Sequence, residues 1–161
     1  MLREYGEEPR WKAIARRIVD ARPVATTTAL AALVPPRRGP RRSHPATRTF
    51  QALRIAVNDE LRACEAAVPA AVAALRPGGR LAVLTFHSLE DRIVKWALRR
   101  AAGAVEDEAA AALRRRGVDA PAAAAAADVS LVTRKPLVAT EAELAANPRA
   151  RSAKLRVVQR L

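Results

Sequence analysis

The chain has a single cysteine, Cys64, which excludes a disulfide framework and any multi-thiolate metal site and fits a reducing compartment. Aromatic side chains are also few. Tyr5, Trp11, Phe50, Phe86 and Trp96 are the whole set, so the core must be built from aliphatic groups, with alanine the most abundant. No apolar run reaches the roughly 18 residues that suggest a membrane-spanning helix. The opening Met1-Leu2-Arg3-Glu4-Tyr5-Gly6-Glu7-Glu8 is too acidic and polar for a secretory signal. The expectation is therefore a cytoplasmic protein with no membrane partner. Acids are scarce too: 16 Asp and Glu face 29 Lys and Arg, a formal charge of +13, and nearly all the cations are arginine. A polyanionic partner is the first implication of that imbalance. Gly-x-Gly-x-x-Gly, a Gly-Lys-Ser/Thr phosphate loop and paired His or Cys at metal-ligand spacing are all missing, so no motif holds a nucleotide cofactor or a metal.

With 161 residues the chain can bury a core without covalent staples. Trp11, Ile14, Ala15 and Ile18 follow the i, i+3, i+4, i+7 series and predict an amphipathic helix that stops before Pro23. Thr27 or Thr28 is positioned to cap a short apolar helix through Ala29–Val34, which Pro35-Pro36 ends. The following segment to Pro45 holds Arg37, Arg38, Arg41 and Arg42 with several breakers and no acid, and reads as an exposed loop. From Thr47 a long helix is predicted, because Phe50, Leu53, Val57, Leu61, Cys64 and Val68 form one stripe; Pro69 should restart or kink it.

After Arg76-Pro77-Gly78-Gly79 the pattern changes to Leu81-Ala82-Val83-Leu84-Thr85-Phe86, an apolar run that reads as a strand buried on both faces of a parallel sheet. Ser88-Leu89-Glu90-Asp91 has the spacing of a capping box and opens a helix reaching about Arg100. Helix, strand, helix predicts a doubly wound α/β arrangement. Residues 101–128 are half alanine and read as a low-complexity insertion. Beyond them, Val129–Thr133 predicts a short strand, Thr140–Glu143 a second capping box, and Lys154–Val158 a last strand.

Ligand sites in open α/β sheets lie beyond the carboxyl ends of the strands, which is where His87 and Ser88 fall. Capping accounts for Ser88 and Asp91. His87 has two readings, a proton-handling group at a pocket mouth or a junction residue. The missing Gly-x-Ser-x-Gly, and His87 directly before Ser88, argue against a serine hydrolase. Among the cations, Arg48 and Arg54, with Gln51, project from the predicted helix, while Arg149 and Arg151 lie in a basic turn. These five are the candidate phosphate contacts, since guanidinium groups match phosphate oxygens in pairs; Arg37, Arg38, Arg41 and Arg42 with His44 in the loop could sit on phosphates too, but the helix residues outrank them because a helix holds its geometry better.

Three segments carry a resemblance. They are His44-Pro45-Ala46-Thr47-Arg48-Thr49-Phe50-Gln51-Ala52-Leu53-Arg54-Ile55; Pro77-Gly78-Gly79-Arg80-Leu81 leading into Phe86-His87-Ser88-Leu89-Glu90-Asp91-Arg92-Ile93-Val94-Lys95; and Asn147-Pro148-Arg149-Ala150-Arg151-Ser152-Ala153-Lys154-Leu155-Arg156. Together with Tyr5-Gly6-Glu7-Glu8 they closely resemble the RsmH (MraW) family, S-adenosylmethionine-dependent methyltransferases acting on a cytosine N4 of 16S ribosomal RNA. The resemblance implies the distal half of a class I, Rossmann-like methyltransferase sheet plus part of a helical insertion subdomain. Residues 1–43 correspond to that subdomain, with an RNA-recognising role. Residues 44–161 correspond to the C-terminal half of the methyltransferase domain, with Leu81–Phe86 as its fifth parallel strand and Val129–Thr133 and Lys154–Val158 as its closing hairpin.

The family's Gly-rich donor loop, its acidic ribose-binding residue and the segment beside the target amine have no counterpart in this sequence. The resemblance thus implies S-adenosyl-L-methionine as cofactor, with this chain not expected to bind it alone. The implied partner is 16S rRNA or the small ribosomal subunit, not DNA, and His87 is the implied pocket residue. Two other readings stay open at this point: a non-catalytic RNA-binding module, and an unstable truncation product with an apolar edge exposed beside Leu81–Phe86.

Overall fold

The computed structural model of the chain describes residues 1–36, 44–104 and 127–161. The basic run from Arg37 to Arg42 and most of the alanine-rich stretch lie outside the described residues. The chain forms two compact units, Met1–Glu60 and Leu61–Leu161.

The first unit is helical. Helix α1 spans Trp11–Asp20, α2 Thr27–Ala32 and α3 Thr47–Asn58. The predicted stripe on α1 is the one buried. Ile14 is fully enclosed in a core with Leu2, Val34, Ala46 and Ala52, and Trp11, Ala15 and Ile18 pack against it. The cap of α2 falls one residue earlier than expected, because the Thr26 hydroxyl accepts from the Ala29 N–H at 3.1 Å. The opening segment is tied down by its backbone. Arg48 donates to the Glu7 carbonyl at 2.8 Å, and Gln51 to the Tyr5 carbonyl at 3.1 Å. Gly6 allows this approach: a Cβ there would stand 2.7 Å from the carbonyl oxygens of both Arg48 and Leu2. Arg10 closes the other side of the unit, its two terminal nitrogens donating to the carbonyls of Pro35 and Pro36 at 2.9 Å each.

The single long helix expected from Thr47 is in fact two, α3 and then α4 over Glu60–Ala73. The break is at Asp59, a left-handed residue (φ 51°) whose N–H bonds the Ile55 carbonyl, and not at Pro69, which sits inside α4. A left-handed residue ends a helix by satisfying a carbonyl of its last turn, and aspartate is among the few side chains that tolerate the geometry. Val57, expected on the buried stripe, is 82 % exposed, and α3 buries Thr49, Ala52 and Ile55 instead.

The second unit is a mixed α/β arrangement around a small antiparallel sheet. Strand β1 is Arg80–Thr85, helix α5 Ser88–Ala101, β2 Val129–Leu131, β3 Leu137–Val138, helix α6 Glu141–Ala146, followed by a 3-10 turn Pro148–Ser152 and β4 Lys154–Arg160. Strand β4 is central. It pairs with β1 along one edge and with β2 and then β3 along the other, all antiparallel. Between β2 and β3 the ladder is carried by Thr133, whose hydroxyl accepts from the Val157 N–H at 2.9 Å while its own N–H donates to the Val157 carbonyl at 3.1 Å.

The expected pairing of the last strand with Val129–Thr133 is present. The parallel neighbour expected for Leu81–Phe86 is not among the described pairings, since the one partner of β1 there is antiparallel. Nor is β1 buried on both faces. Leu81 and Val83 pack on a core of Val68, Val72, Val94, Leu98, Val129 and Val158 drawn from α4, α5 and the sheet. Leu84, Phe86 and Leu137 remain 52, 53 and 56 % exposed. Strand residues alternate between faces, so one apolar row of the sheet is covered and the next is left open.

Candidate nucleic-acid interface and the strand-end histidine

The chain leaves β1 at Thr85 and turns into α5 through Phe86 and His87. Sequence spacing made Ser88 the cap and Asp91 its partner; the structure moves the box back by one residue. His87 is the N-cap in extended geometry, its Nδ1 accepting from the Glu90 N–H at 3.3 Å. Glu90 reciprocates: its Oε2 accepts from the N–H groups of Phe86 at 3.0 Å and His87 at 3.3 Å. The physical role is the usual one, since the first N–H groups of a helix have no partner within it. An imidazole nitrogen serves as acceptor as well as a hydroxyl does. His87 Nε2 is buried and lies 3.2 Å from Glu90 Oε1, without an aligned hydrogen bond. The ring is therefore held through Nδ1 at the carboxyl end of β1, with the Glu90 carboxylate beside Nε2. Replacing His87 with Ala should lower stability by about 0.5–2 kcal/mol, and His87→Asn, which keeps an acceptor at that position, should recover most of it. Denaturant titration followed by Trp96 fluorescence reads this, and equal losses for the two variants would remove the capping role.

Asp91, freed from the cap, has a different function. Its carboxylate is nearly buried and takes a paired interaction from Arg156, Nε at 2.8 Å and Nη2 at 3.2 Å, with Lys154 Nζ at 3.1 Å. Burial by itself would raise this carboxyl group's pKa. The hydrogen bonds from Arg156 and then Lys154, with their charges, outweigh it and hold the pKa below the ordinary value of 3.8. This cluster fastens the first turn of α5 to β4. The signal in the sequence was Lys154-x-Arg156, two cations on one face of a strand, together with an acid in the first turn of a helix that must pack on it.

Burial pushes the Cys64 thiol up, helped by the nearby charges of Glu90 and Glu65, at the edge of the core.

The five candidate RNA contacts divide between the units. On α3, Arg48 and Gln51 hold the opening segment as described, and Arg54 makes a paired contact with Glu60 at 2.7 and 3.0 Å. In the second unit, Arg149 and Arg151 are exposed on the 3-10 turn, which begins with Asn147 Oδ1 accepting from the Arg149 N–H at 3.2 Å.

The sequence that builds these two units matches a class of methylases. The match to the MraW methylase family model extends over residues 1–161, and the chain belongs to that family. Curated relatives bear the name ribosomal RNA small subunit methyltransferase H. The protein of that name from Nitratidesulfovibrio vulgaris (strain Miyazaki F) is 52 % identical over 169 residues, covering 100 % of this chain and 45 % of the relative. Those from Nitrobacter hamburgensis and Thermomicrobium roseum are 52 and 50 % identical over 163 residues, covering 97 and 98 % of this chain and 46 and 48 % of their own lengths. The chain thus spans about half the length of the curated relatives it matches. Among the described residues no helix is long and apolar enough to cross a membrane.

Proposed function

We propose that this chain supplies the distal part of an S-adenosylmethionine-dependent methyltransferase that modifies a cytosine N4 in 16S ribosomal RNA within the cytoplasm. The observation that carries the reading is the family match along all 161 residues, with relatives of about 50 % identity that are named for methylation of small-subunit ribosomal RNA. In this reading residues 1–43 belong to a helical insertion, and β1, β2 and β4 are the outer strands of a Rossmann-like sheet. The uncovered row of Leu84, Phe86 and Leu137 supports it, because an apolar sheet face is stable in water only at a cost that a covering layer removes.

A cytosine amine is a weak nucleophile whose lone pair is conjugated into the ring, so transfer depends on holding donor and amine in line. His87, fixed at the end of β1, borders that space. Arg149 and Arg151 contact RNA from the second unit, and Arg48, Gln51 and Arg54 from α3. The donor itself is held by the part of the family's length that this chain does not span.

The test is calorimetric titration with S-adenosylmethionine, followed by methyl transfer to small ribosomal subunits with and without the remaining portion of a relative added as a separate polypeptide. No donor binding by the chain alone is expected, with N4-methylcytosine formed on reconstitution. One-to-one donor binding by the isolated chain would refute the division of labour, and methylation at another atom would refute the N4 assignment.

A further inference from the structure

The second unit carries a cleft that the methyl-transfer reading does not use. It lies between α5 and the turn joining β2 to β3 and has a volume of about 310 Å³. Lys95 and Arg99 line it from α5, Arg134 and Lys135 from the turn, and Arg156 from β4; Asp91 is the one acid in the lining. That acid is already matched, since its two oxygens are taken by Arg156 and Lys154. Lys95, Arg99, Arg134 and Lys135 form no ion pair with an acid among the described residues. Lys95 and Arg99 instead lie over the half-exposed ring of Trp96, at 4.9 and 5.8 Å from its centre.

Four like charges gathered around one concavity repel each other, and part of the wall is apolar, from Leu98, Leu131 and Pro136. Low-dielectric walls of this sort concentrate the field of the cations and favour an anion between them. The cations come as two pairs on two separate elements, a spacing suited to successive charges along a chain. Guanidinium and ammonium groups are also the donors that phosphate oxygens accept best.

We propose that this cleft seats consecutive backbone phosphates of the RNA. The choice of RNA rests on the ribosomal RNA reading above. Phosphate contacts of this kind set register and orientation and carry no sequence information.

The experiment measures binding of this chain to a fluorescein-labelled single-stranded oligonucleotide of small-subunit rRNA sequence across a series of potassium chloride concentrations. Each phosphate contact to a single strand contributes about 0.7 to the slope of log affinity against log salt. Lys95→Gln with Arg99→Gln, and separately Arg134→Gln with Lys135→Gln, should each flatten the slope by about 1.4. Arg76→Gln with Arg80→Gln, neither of which lines the cleft, removes the same charge and should leave the slope nearly as it was. An unchanged slope in either cleft pair, an equal drop in the control pair, or no salt-dependent RNA binding by the unaltered chain overturns the proposal. If a pair loses the near-ultraviolet signal of a folded Trp96, the single Lys135→Gln exchange takes its place, with about 0.7 expected. Failure of methyl transfer with these slopes intact would count against the methylation reading alone, and the reverse result against the cleft alone.

Discussion

Asp91→Asn should destabilise the second unit by about 3–5 kcal/mol, the cost of removing one partner from a buried charge pair. The exchange keeps size and most hydrogen-bonding geometry but leaves the Arg156 guanidinium, itself buried, without its counter-charge. Lys154 is more exposed and can turn to water, so the loss centres on Arg156. The pH dependence has a definite sign. The folded-state pKa of Asp91 lies below its ordinary value, so its contribution is complete above about 3.8 and disappears as pH falls through the depressed folded-state value. The stability gap between the native chain and Asp91→Asn should therefore be wide at pH 7 and close in strong acid. Denaturant unfolding in a Trp11→Phe background, where Trp96 alone reports, measures it. A gap independent of pH would show that Asp91 acts through shape and not through charge.

Leu98→Ala should cost about 2–5 kcal/mol, while Leu84→Ala should cost under about 1 kcal/mol. Both are leucines in regular elements of the same unit. Leu98 is 2 % exposed in the core between α5 and the sheet, whereas Leu84 is 52 % exposed on the opposite sheet face. Truncating the first leaves a cavity that close-packed neighbours cannot fill; truncating the second removes little that was out of water. The pair of measurements tests the open face directly. Comparable losses at the two sites would mean that Leu84 is covered in solution, for instance by a second copy of the chain, and the sedimentation coefficient would then rise with concentration.

Helix α1 was legible because four apolar residues at helical spacing leave only one face to bury, and Ile14 lies where that pattern puts it. The α3–α4 break was not, because the stripe of Phe50 to Val68 is continuous in sequence. A left-handed Asp59 costs little enough that packing decides whether it is used. The box at the start of α5 was placed one residue late for a related reason: Ser88 and His87 both offer an acceptor, and the strand's exit geometry selects between them. Once His87 takes the cap, Asp91 is released to bind Arg156, a pairing across 65 residues that no local pattern announces.

The candidate RNA residues show the same limit. Their type was readable from charge, but Arg48 and Gln51 also hold the opening segment and Arg54 pairs with Glu60, which only coordinates reveal.

The order of amino acids alone determined the family, the excess of positive charge and the amphipathic face of α1, because charge, periodicity and long motifs are local properties that survive without a fold. Tertiary structure decided which groups meet: the Asp91 cluster, the basic cleft beside Trp96, and the bare row of Leu84, Phe86 and Leu137. An apolar run records a tendency to leave water, but whether both sides of a strand succeed depends on which surfaces are present to receive them.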